Sequence, residues 1–200
     1  DFDQFMRNEF IQMMEDDYMS LHFALKDYEK YGITKPQPTI GEPPTLDNSK
    51  SIAKVEESLK ELEKFNYDEL SDVQQHDYDT YKYYLESTRE LLNYPMFDFQ
   101  FLPNRGIQSN LITNFTEFIF YKQEDIDDYL SVLESVPAYI DGALEVTRTQ
   151  VANGYFMTDA ALDSTLDGIE KFVAKTDNNP LIQIFNQNID KFEGLTEEQR

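Results

Sequence analysis

Cysteine and tryptophan are both missing from this chain of 200 residues. Without cysteine there is no disulfide, no thiolate nucleophile and no cysteine-held zinc. Positive charge is scarce: 17 Lys and Arg stand against 39 Asp and Glu, a formal net charge of −22. That balance excludes nucleic acid and anionic membrane surfaces as partners, because both are gripped by neutralising phosphate with Lys and Arg. No run approaches the ~20 apolar residues of a membrane helix. Only two histidines occur, His22 and His76, and they lack the i, i+4 spacing that sets two imidazoles on one zinc ion. Nothing resembles a nucleophile elbow. No basic-then-apolar leader precedes Asp1 and there is no initiating Met, so the start is expected to be trimmed or processed.

What is present is enough for a core. Apolar residues make up 40%, with 15 Phe and 13 Tyr. A chain this long suits one domain, here 1–200, burying about 70% of the unfolded surface. The dominant stretch is Glu124–Tyr155. Its line Ile126, Leu130, Leu133, Pro137, Ile140, Leu144, Thr147 and Val151 alternates steps of four and three, and Tyr129, Val136 and Ala143 widen it. This is one face of an amphipathic helix with acids at its start and Asn153-Gly154 at its end. At 1.5 Å per residue it spans roughly 40 Å. The stripe keeps its phase across Pro137, which predicts one kinked helix rather than two. The fold class is therefore all-α, a multi-helix array around this long central kinked helix.

Around that helix the chain reads in order. Phe2, Phe5, Met6, Phe10, Met13 and Met14 form a helical stripe up to Glu15-Asp16-Asp17, with helix resuming over 18–28 before Gly32. Four of the eight prolines, at 36, 38, 43 and 44, make 33–46 an extended connector. Asp47 or Asn48 caps a helix carrying Ile52, Val55, Leu59, Leu62 and Phe65. Ser71-x-x-Gln74 is a capping box for a helix to about Asn93, whose tyrosines 78, 81, 83 and 84 cannot share one face. Pro95–Gly106 is a loop in which alternating Phe97, Phe99 and Phe101 suit a strand without a partner. Helix returns over 106–121, with Leu111, Ile112, Phe115, Phe118 and Ile119 directed inward. Thr158 caps a helix to about Ala174, and Pro180 opens one to about Phe192. Thr196-Glu197-Glu198-Gln199 is a further capping box with no helix behind it, which predicts a natural chain that continues.

Asp163-x-Thr165-x-Asp167-Gly168 has the outline of a calcium loop, but its twelfth position is Ala174 and the segment keeps helical phase. Acid clusters at 15–17 and 124–128 read as helix-terminal charge. Asn114-Phe115-Thr116 matches a glycosylation sequon within a buried stripe. The substrate-binding candidates are Arg105, Gln108 and Asn110. A cation and two amides on the Pro103–Gly106 loop suit a carboxylate such as a peptide end.

The chain also carries a string of short matches. They are Leu21-His22-Phe23, Glu29-Lys30-Tyr31-Gly32-Ile33, Leu70-Ser71 with Gln74-Gln75 and Tyr78, and Gly106-Ile107-Gln108. Glu124-Asp125-Ile126-x-x-Tyr129-Leu130, Val136-Pro137-x-Tyr139, Gly154, and Asn179-Pro180-Leu181 with Phe185 follow. In this order the chain resembles the N-terminal part of the bacterial domain-of-unknown-function family 885, in its Gram-positive form. The resemblance implies a full protein similar to helical zinc metallopeptidases, with His-Glu-x-x-His and a Glu ligand in a C-terminal half. That motif does not occur in these residues, so no catalytic or metal residue carries over. It further implies a secreted or lipid-anchored protein, a peptide substrate, and zinc in the full-length parent rather than in this segment. The segment would wall or cap the peptide channel without catalysing. A freestanding helical surface interaction module is the alternative.

Overall fold

The computed structural model describes residues 1–193, 195 and 196, and eight α-helices form there without a strand. The first is α1 (Phe2–Asp16), which breaks at Asp17 where the backbone turns extended. The Asp17 carboxylate then accepts from the Met19 and Ser20 N–H groups and starts α2 (Tyr18–Ala24). After a 3₁₀ turn at Tyr28–Tyr31 and the proline connector comes α3 (Ser49–Leu62). The expected capping box is present at α4 (Asp72–Leu92): the Gln74 N–H donates to Ser71 Oγ at 3.4 Å, and the Ser71 N–H donates to Gln74 Oε1 at 3.1 Å. Next are α5 (Ile107–Thr116), α6 (Glu124–Ala152), α7 (Asp159–Val173) and α8 (Pro180–Lys191). Thr158 caps α7, and Asn179 caps α8 with Pro180 at its first position. Glu197–Gln199 of the last expected capping box lie outside the described residues.

Burial falls into three groups. Phe2 of α1, Leu59 and Leu62 of α3, and Tyr78 and Leu85 of α4 close one end, with Phe65 edge-on to Phe2. Tyr18 and Met19 of α2, Phe115 of α5, Phe118, and Tyr129 and Val132 of α6 form the other, with Phe185 of α8 against Tyr129. Met14 of α1, Leu21 of α2 and Ile33 form a third, smaller cluster. The tyrosines of α4 divide as their spacing requires: Tyr78 is buried, whereas Tyr83 and Tyr84 face solvent.

The central helix runs unbroken through Pro137. The proline leaves the Leu133 carbonyl without its helical donor. One turn away, Ser135 Oγ donates to the Val132 carbonyl and accepts from the Ile40 N–H at 2.9 Å, which docks the connector. Further along, the connector presses on Gly142, where a Cβ would lie 2.7 Å from Pro43 Cβ and 3.1 Å from the Pro44 carbonyl. Glycine is what lets the two backbones approach.

Two expectations need correction. The covered line of α6 is Tyr129, Val132, Ala143 and Val146, about 100° round from the line read as its centre; Leu130, Leu133, Pro137 and Val151 are exposed. Helix α5 ends at Thr116, so Phe118 is buried from a loop while Ile119 turns outward at 52% exposure. The Phe97–Phe101 stretch is a loop, as read, and opens with a 3₁₀ turn at residues 95–97 held from α6 by Gln150.

Candidate functional site

The α6 face that the core leaves open lines a groove. It has a volume of about 540 Å³ and lies between α5, α6 and α7, with Ile112, Leu133, Ile140, Leu144, Ile169 and Phe172 among its walls. That volume is in the range of small-molecule and peptide side-chain pockets. No charged side chain lines it. Helix α7 also contributes Ser164, Thr165 and Gly168 to the lining, and Thr165 satisfies its buried hydroxyl on the Ala161 carbonyl at 2.9 Å.

The loop before α5 closes one end of the groove through Phe101 and Pro103. Its turn is tight: the Gly106 N–H donates to the Leu102 carbonyl at 3.1 Å and the Ile107 N–H to the Gln100 carbonyl at 2.9 Å. A Cβ on Gly106 would fall 2.6 Å from the Leu102 carbonyl oxygen. Of the three residues proposed from sequence, only Gln108 lines the groove, and its Nε2 donates to the Leu102 carbonyl. Its Oε1 is buried without a hydrogen-bond partner. Arg105 and Asn110 are exposed outside the lining, and Arg105 makes no ion pair among the described residues. Sequence reading therefore found the loop and missed the groove. The apolar excess on α6 was the available signal: its stripe is wider than one packed face needs.

A second, polar cluster lies between α2 and the start of α6, around a cavity of about 20 Å³. Asp125, in the first turn of α6, ties down the loop before the helix, its carboxylate accepting from the Tyr121 N–H at 2.7 Å and the Lys122 N–H at 2.9 Å. Asp128 is buried and accepts from the Tyr18 hydroxyl at 2.9 Å and from Lys35 Nζ at 3.0 Å. Lys35 also pairs with Glu124. Burial alone would pull the Lys35 ammonium down, but hydrogen bonds to Glu124 and Asp128 outweigh it and hold the pKa above its usual value. Burial and the bond to Asp128 push the Tyr18 phenol far up. Tyr129, buried with no such partner, is pushed up to about 12. His22 is no ordinary helix position: it is buried, stacked on Phe118 at 3.7 Å between ring centroids, and its Nε2 has no partner. Burial lowers its pKa, more than Asp125 and Asp128 raise it.

These donors do not fit zinc. The carboxylates of Asp125 and Asp128 are engaged by N–H, hydroxyl and ammonium donors, and His76 lies on α4 at the far end. Among the described residues no three His, Asp or Glu side chains are grouped to hold a metal ion. Nor is any described helix long and apolar enough to cross a membrane. The cluster is an electrostatic clamp that ties α2 and the connector to the α6 N-terminus.

Residues 32–200 match a family model described as "Bacterial protein of unknown function (DUF885)". The motif stretches around His22 and Glu29–Tyr31 lie before the matched span. No curated protein and no solved structure matches the chain.

Proposed function

The chain belongs to that bacterial family of unknown function, and on this premise we propose that it is a non-catalytic helical segment of a secreted, zinc-dependent peptidase-like protein. Its part is to wall the channel through which a peptide reaches a metal centre elsewhere. The observation that carries this reading is the groove: an apolar, uncharged trough on the longest helix, on a chain whose two buried carboxylates, Asp125 and Asp128, are engaged in structural contacts. Zinc and its water-activating Glu would come from residues outside this sequence. Arg105, on the loop at the groove's end, would hold a peptide carboxylate. The coding sequence beyond Arg200 tests the reading. An open frame bearing His-Glu-x-x-His and a later Glu is expected; a stop codon at once overturns it.

The alternative, a freestanding interaction module, draws support from another feature. Tyr83, Tyr84 and Leu91 on α4, with Tyr94 and Phe97 beyond it, expose apolar surface without cover. The stop codon would favour that reading.

A further inference from the structure

We propose that the groove between α5, α6 and α7 takes an apolar peptide segment flanked by basic residues, an inference that rests on the channel-wall reading and names the class of peptide it serves. The apolar half of the argument is the surplus on α6. Leu133, Ile140 and Leu144 form a line adjacent to the packed one, and Leu133 is 40% exposed although Val132 beside it is fully buried. Side chains of this kind gain from every part of their apolar surface that is taken from water. The groove has an acceptor's shape for apolar side chains and offers a charged group of the ligand no partner inside.

Charge decides what flanks those side chains. The exposed residues next to the lining positions of α6 and α7 are Glu134, Asp141, Glu145, Asp163, Asp167 and Glu170. The two cations among them are already paired, Arg148 with Glu145 and Lys171 with Asp167. A ligand entering along these helices therefore meets a negative field, on a chain of net charge −22. Fatty acids, acidic peptides and nucleic acid are repelled, and so is a second copy of this chain. A peptide with Leu or Phe at its centre and Lys or Arg on either side satisfies both the trough and its banks.

The test is a titration of the 200-residue chain with three dye-labelled peptides of equal length, read by fluorescence anisotropy. One has a Leu-Phe centre with Lys flanks, one the same centre with Glu flanks, and one a Ser centre with Lys flanks. The first is expected to bind at least about tenfold tighter than either other. Its advantage over the Glu-flanked peptide should shrink as salt rises to roughly 0.5 M, where screening is short-ranged. Glu134→Lys with Asp141→Lys, both on exposed positions, should largely remove the flank preference with the fold intact. Equal binding of the Lys- and Glu-flanked Leu-Phe peptides overturns this inference and leaves the channel wall standing. Equal binding of the Ser-centred peptide shows that charge alone binds and the groove is not the site. No binding by any peptide removes both readings. Self-association of the chain that Leu133→Gln abolishes would make a second copy the occupant, and would likewise overturn the inference.

Discussion

Asp128 shows how single residues here do structural work with charged groups. It is buried, yet its two partners come from other elements, Tyr18 on α2 and Lys35 on the connector. Asp128→Asn removes the charge that Lys35 answers while Glu124 still holds the ammonium. The expected loss is about 1–3 kcal/mol of stability, that of one charge-assisted contact broken at a partly buried site, read by urea denaturation. His22 gives a pH prediction. Its folded pKa lies below the ordinary 6.5, so the unfolded chain binds protons first as pH falls. The contribution is fully present above pH 6.5 and is lost as pH drops through the folded value. Proton NMR should place the imidazole titration below 6.5, and His22→Gln should flatten the stability profile across that window. A titration at or above 6.5 contradicts the burial argument. Arg105→Ala, made in the complete protein, should raise KM for peptides with a free C-terminus and spare amidated ones. An equal effect on both removes the carboxylate role.

Elements were legible in the sequence wherever a local rule governs them. Ser71 with Gln74, Thr158 and Asn179-Pro180 fix helix starts through contacts within four residues, and all three starts are as read. The direction a helix faces depends on what packs against it. Periodicity on α6 located a broad apolar arc, but which line inside that arc is covered was settled by Phe115, Phe118 and the connector. Residues 95–98 follow the same logic. Their alternating Phe needs a neighbouring strand, and none exists among the described residues. Instead Gln150, fully buried, donates from Nε2 to the Met96 carbonyl at 3.2 Å and the Asp98 carbonyl at 3.0 Å. The groove and the Arg105 loop divide likewise: the loop announced itself by Pro, Asn and Gly, whereas the groove needs three helices placed together. A pair of substitutions tests the packing of α6. Glycine to alanine on a free helix surface adds up to about 1 kcal/mol of stability. Gly168→Ala on α7 meets nothing within 4 Å and should behave so. Gly142→Ala meets the Pro43 ring and the Pro44 backbone and should cost about 1–3 kcal/mol. Thermal melts of the two variants should move in opposite directions; a shared direction would mean the connector does not press on α6.

Across the whole molecule, apolar surface and charge are separated. The covered cores hold α1 with α3 and α4, and α2 with α5, α6 and α8. The uncovered apolar surface on α6 and α7 is fenced by acids. It is on such a body that the proposed binding and guiding of a peptide rests. Among the described residues, no three His, Asp or Glu side chains are grouped to hold the metal ion that zinc hydrolysis requires. The most direct measurement is a single mass-spectrometric experiment on the chain mixed with zinc and a Lys-flanked Leu-Phe peptide carrying a photoreactive group at its centre. After irradiation, the expected product is intact peptide attached to residues of the groove, Leu133, Ile140 or Ile169. Cleaved peptide that a chelator prevents, or adducts confined to other surfaces, would contradict the account.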